Sequence, residues 1–136
     1  MSVAWTPVEV DLGYLPSAHE EVKVYNLTDT QIPPNAKEVL IYTFITSIGV
    51  GEFQRGWYQI STSDGNKESK QYMNVATGKG VNIVNSANLW FPVTADKSLT
   101  VKLNHPGLER SQNKHIAGSL AASHDWSKVF VIGYRS

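Results

Sequence analysis

The chain is 136 residues long, with 12 Lys and Arg, 12 Asp and Glu, and no cysteine. That length fits one domain, residues 1–136, able to bury about two-thirds of its unfolded surface without a metal or disulfide to hold it. Zero net charge excludes bulk attraction to nucleic acid or an anionic membrane, and the missing cysteine excludes disulfide frameworks, thiol nucleophiles and cysteine zinc sites.

The opening segment, MSVAWTPVEVDL, has no basic region followed by an apolar stretch, so no signal peptide is visible. The chain is then either cytoplasmic or begins at a mature N-terminus. The compartment stays open, with an extracellular one favoured. The longest apolar run lies near Val39 to Phe44, too short to span a bilayer, so no membrane insertion is expected.

In chain order, period-two segments recur where helical stripes are absent. Val8, Val10 and Leu12 alternate with Glu9 and Asp11. Val22 and Val24 alternate with Glu21 and Lys23. Each pattern predicts a strand with its valines or leucines in the core and its charges in water. Asn26-Leu27-Thr28 is a glycosylation sequon, a pattern common by chance.

Pro33-Pro34-Asn35 ends the next loop, because proline cannot donate within a strand interior. The strand that follows, Val39 to Ile45, is apolar on both faces. Gly56 to Thr62 and Ser69 to Ala76 predict two further strands around Ser63-Asp64-Gly65-Asn66, where Asp-Gly signals a hairpin. If Tyr58 and Ile60 take the core, then Arg55, Trp57, Gln59 and Ser61 face outward together.

Gly78-Lys79-Gly80 predicts a turn into Val81 to Val84 and Asn88 to Val93. Ala95-Asp96-Lys97 predicts a turn into Leu99, Val101 and Leu103, which alternate with Thr100 and Lys102. His105-Pro106-Gly107 starts a polar loop through Asn113, and Ile116 to Ser123 fits a short helix or a small-residue strand. Val129 to Tyr134 is the second segment apolar on both faces. The reading is all-β: an antiparallel β-sandwich or jelly roll of about eight strands.

The two segments apolar on both faces predict one face in the core and the other in a subunit contact. The alternative is aromatic side chains lying flat on a wet sheet face.

Catalytic signatures are missing. No GxSxG elbow occurs, and Gly49-Val50-Gly51 lacks the rest of a phosphate-cradling loop. His19, His105, His115 and His124 show neither HxH nor i, i+4 spacing, so they are expected as solvated loop residues with no bound metal. His124 and Asp125, as sequence neighbours, would point to opposite sides of a strand. No enzymatic activity and no cofactor are expected.

A surface suited to neutral polar ligands remains. Trp57 with Tyr58, Tyr72 with Asn74, Asn85 with Asn88, and His124, Asp125 and Trp126 fall at or beside predicted strand ends. Sugars present apolar C–H faces and dense hydroxyls, which call for an aromatic plate plus groups that donate and accept in pairs. Arg55, Trp57, Asp64, Asn66, Asn88, Asp125 and Trp126 are the candidate ligand-binding residues, with Trp57 or Trp126 as the plate. The bland alternative makes Trp57 and Trp90 core or interface aromatics and the asparagines ordinary turn residues.

The succession IPPNAKEVLIYTF, GWYQIST, NLWFPV, LTVKL and VFVIGYR resembles small jelly-roll or sandwich modules. These include compact oligomeric lectins of the H-type and the subunits of trimeric C1q- and TNF-like proteins. The resemblance is one of architecture and carries no binding residue with it. It implies a small symmetric homo-oligomer, a trimer by preference, and a ligand or receptor surface. The expected function is carbohydrate binding, with a glycan or glycoprotein as partner and a shallow site at strand-end loops. The competing expectation is a structural or adhesive subunit of capsid, fibre or matrix type, whose aromatic strands form the subunit contacts.

Overall fold

The computed structural model describes residues 4–16, 19–47, 54–77, 83–105 and 127–136. Strands make up 72% of them, and no helix occurs among the described residues. The strands are β1 (Thr6–Tyr14), β2 (Val22–Asn26), β3 (Glu38–Ser47), β4 (Gln54–Asp64), β5 (Lys67–Thr77), β6 (Ile83–Pro92), β7 (Ser98–Asn104) and β8 (Lys128–Arg135).

They form two antiparallel sheets, ordered β1-β8-β3-β6 and β2-β7-β4-β5. The pairs β1/β8, β2/β7, β3/β6 and β4/β5 are all antiparallel partners. The chain is therefore one long ribbon doubled back at the β4–β5 turn, with successive strand pairs assigned to alternate sheets. That is the jelly-roll arrangement.

The inner faces meet in one apolar cluster. The first sheet contributes Val10, Val39, Ile41, Ile45, Phe91, Val129 and Val131; the second contributes Tyr25, Tyr58, Ile60, Met73, Val75, Leu99, Val101 and Leu103. Strict alternation along β7 buries Leu99, Val101 and Leu103 and leaves Thr100 and Lys102 half-buried on the other face. The Tyr58 hydroxyl donates to the Pro16 carbonyl at 2.6 Å, and the Tyr25 hydroxyl donates to the Tyr14 carbonyl at 2.5 Å. Two buried phenols are thus satisfied, and burial raises the pKa of both above the ordinary tyrosine value.

Four local expectations change. In β2 the faces are inverted: Val22 is 50% and Val24 66% exposed, while Tyr25 is buried. With only one face inside, a tyrosine that buries more area and finds a hydroxyl partner displaces two valines. The expected break between Val84 and Asn88 does not occur, because Asn85, Ser86 and Ala87 pair with Ile45, Phe44 and Thr43 along β3. At the β4–β5 hairpin the two central residues are Gly65 and Asn66, with Asp64 still paired to Lys67. Only Gly65 has positive φ, at 61°, as a type II′ turn requires at its first central position. Finally, Ser61 is buried instead of facing water.

Two histidines also depart from expectation. His105 is fully buried, and the His19 side chain is only 10% exposed. The backbone N–H of His105 donates to His19 Nδ1 at 2.9 Å. The expected turn at 78–80, the loop through 113, the segment 116–123, and His115, His124, Asp125 and Trp126 lie outside the described residues.

Candidate functional site

The outward faces of the two sheets differ in chemistry. On the first sheet, alternation turns Leu40, Tyr42 and Phe44 of β3 outward beside Trp90 of β6 and Phe130 of β8. Tyr42 and Phe44 have ring centroids 5.5 Å apart, and Phe44 stacks on Phe130 at 6.0 Å with planes 16° apart. All three side chains are half-buried by one another.

A bulge in β8 extends this surface. Leu40 pairs with Gly133 and Ile41 with Val131, so Ile132 is the extra residue. The bulge shifts the side-chain phase: Tyr134 turns into the core, and Gly133 and Arg135 turn outward. Gly133 then leaves room for Trp5, whose ring covers it and meets Trp90 edge-to-face at 6.1 Å and 82°. The Arg135 guanidinium lies 4.0 Å from the Trp90 ring centroid and donates through Nε to Glu38 Oε1 at 2.6 Å. That hydrogen bond to Glu38 raises the arginine pKa further above its ordinary value. At the other end of the face, Lys128 Nζ pairs with Asp11 Oδ2 at 2.9 Å and sits 5.1 Å from the Tyr14 ring centroid. An aromatic strip is thus closed at both ends by an internally neutralised ion pair.

The second sheet carries a cleft in place of a strip. Tyr58 and Ile60 point inward with no exposure, which turns Arg55 and Trp57 outward, as the sequence predicts. Trp57 is 38% exposed. Asn74 lies opposite Trp57 and Ala76 opposite Arg55 across the β4–β5 ladder. Where edge strand β5 passes β6, Gln71 Nε2 donates to the Trp90 carbonyl at 2.8 Å and Asn85 Nδ2 to the Asn74 carbonyl at 2.6 Å. These two amide stitches close one open edge of the sandwich, which otherwise exposes unpaired backbone groups. Beside the second stitch is a cleft of about 490 Å³, with Arg55, Trp57, Asn74, Ala76, Val84 and Asn85 in its lining.

The sequence-predicted site residues do not all converge. Arg55 and Trp57 share the cleft. Asp64 ends β4 and Asn66 lies in the turn beyond it, so both are roughly 20 Å or more from Trp57 along the strand. Asn88 pairs with Tyr42 on the first sheet, exposed beside the aromatic strip. Asp125 and Trp126 fall outside the described residues. The cleft gains Asn74 and Ala76, cross-strand neighbours of Trp57 and Arg55 in the β4–β5 hairpin, and Val84 and Asn85, which join only through the edge-to-edge passage of β5 and β6. The residue types had drawn attention to the two asparagines; nothing in the local sequence gave the passage.

Among the described residues, no group of three or more His, Asp or Glu side chains is placed to hold a metal ion. No described helix is long and apolar enough to cross a membrane. No protein-family model matches the chain, and the curated proteins compared with it include no match.

Proposed function

We propose that this chain is a non-catalytic binding subunit of a small symmetric oligomer, joined through the outer face of β1-β8-β3-β6 and presenting a ligand surface on β2-β7-β4-β5. The observation that carries the reading is the strip of Trp5, Trp90, Tyr42, Phe44 and Phe130 across one outer sheet face. Aromatic residues are enriched at the centres of protein interfaces, where charged residues are depleted. A contiguous apolar patch ringed by polar groups marks an interaction surface on a soluble domain.

The occupant is a second copy of the chain. The rim charges, Lys128 with Asp11 and Arg135 with Glu38, already neutralise each other. The strip therefore projects no net field that would select an oppositely charged partner, and two copies meet without like-charge repulsion. Closed cyclic symmetry follows as the default for one chain meeting itself. Trimeric order is carried by the architectural resemblance alone.

The test is Phe130→Glu, read by native mass beside the wild type. The substituted side chain points outward and is half-buried, so the fold should survive while the assembly falls to monomer. An unchanged assembly mass in a folded variant would contradict the placement of the interface.

A further inference from the structure

We propose that the cleft beside Trp57 is a subsite for one or two pyranose rings of a neutral glycan, an inference that rests on the binding-subunit reading and names its ligand. The volume, about 490 Å³, lies within the range of small-molecule sites and suits a ligand of that size. The lining also fits the two faces of a sugar. Trp57 offers an indole plate for an apolar C–H face, and Ala76 and Val84 extend the apolar wall.

Asn74 and Asn85 supply the polar side. Asn85 is held from two directions: its Nδ2 donates to the Asn74 carbonyl at 2.6 Å, and its Oδ1 accepts from the Ser86 N–H at 2.9 Å. An amide has two donor hydrogens and two acceptor lone pairs. Each of those bonds leaves one more of the same kind, on a side chain whose rotamer is already fixed. Such an amide pairs with a hydroxyl at little ordering cost. Arg55 also lines this wall.

Charge narrows the ligand class. No Asp or Glu is among the described lining residues. Arg55 is the one cation among the described lining residues, whereas binding a polyanion draws on several charges at once. Hydroxyl-rich, uncharged and partly apolar is the chemistry that matches what remains.

The experiment is a titration of isotopically labelled full-length protein with glucose, galactose, mannose, fucose and N-acetylglucosamine, with N-acetylneuraminic acid as the anionic arm. The readouts are the Trp57 indole N–H resonance and the side-chain amide resonances of Asn74 and Asn85. A single shallow site should saturate at roughly millimolar sugar. Trp57→Ala should weaken that binding about tenfold, as loss of a central aromatic anchor does, and Trp57→Phe should retain most of it. Because Trp57 is partly exposed, neither change threatens the core.

Saturable shifts with a neutral sugar, weakened in Trp57→Ala and kept in Trp57→Phe, support the assignment. Three outcomes overturn it: no neutral sugar moves these resonances, binding is equal in Trp57→Ala, or only the anionic sugar binds. Sedimentation of the same samples separates the two proposals. A monomer with saturable shifts removes the assembly reading and leaves the subsite; an oligomer with no shifts does the reverse.

Discussion

The indole of Trp5 lies over Gly133, in the space where any other residue at that position would carry its Cβ. The ring is 44% exposed and hinged near the start of β1, so it can swing outward. Gly133→Ala should therefore displace Trp5 without disrupting β8. The loss includes the Trp5–Trp90 edge contact, about 0.5–1.5 kcal/mol, and the part of the indole's burial that it does not recover. Urea unfolding with a near-ultraviolet circular dichroism readout should show that modest loss together with a changed tryptophan signal.

Gly56 gives the opposite outcome. A Cβ there would sit 2.6 Å from the Asn104 carbonyl oxygen and 2.8 Å from His105 Cβ. Neither the carbonyl nor the buried His105 can rotate away. Gly56→Ala should cost about 1–3 kcal/mol, the usual range for overpacking a close-packed site. The two glycine variants, unfolded side by side, should rank Gly56→Ala as the more damaging.

The Tyr58 hydroxyl donates to the buried Pro16 carbonyl. Tyr58→Phe keeps the ring and leaves that acceptor without it. The expected loss is about 1–2 kcal/mol, measured as a lower urea midpoint at unchanged slope. A neutral result would mean that the β1–β2 connection re-satisfies the carbonyl elsewhere.

His105 predicts acid sensitivity. Burial, aided by the neighbouring His19, holds its imidazole below the ordinary histidine pKa, and neither ring nitrogen has a hydrogen-bond partner among the described residues. The folded state thus binds fewer protons than the unfolded state just below the unfolded pKa of about 6.5. Stability is fully present above that pH and falls as the pH drops through it towards the lower folded value. Around these groups, Glu20 Oε1 lies 3.6 Å from His19 Nε2. His105→Leu should flatten the slope between about pH 7 and pH 5, and cost little at pH 8 because two orphaned polar atoms leave with it. An unchanged slope would assign the acid sensitivity elsewhere.

Strand positions were legible in the sequence wherever alternation was clean, as in β1 and β7. The two segments apolar on both faces proved to be neighbours, β3 and β8, which concentrates their outward aromatics into one strip. What periodicity could not decide was phase. In β2 both phases place a large apolar or aromatic residue inward, and Tyr25 prevails through its hydroxyl bond to Tyr14. In β8 a one-residue bulge reverses the faces of Gly133 and Arg135, and no local pattern announces it. The candidate site was half legible for a related reason. Arg55 and Trp57 belong to one strand face with Asn74 opposite across the β4–β5 ladder, whereas Asn85 reaches them through contact between edges of different sheets.

Sedimentation equilibrium of the wild-type chain, from sub-micromolar to high micromolar concentration, decides whether the chain assembles through the aromatic strip. Five clustered aromatics on one outer sheet face predict a small closed oligomer, a trimer by preference, that dissociates only on dilution. A chain that stays monomeric at high micromolar concentration would contradict the claim, and the aromatic strip would then be rings lying flat on a wet sheet.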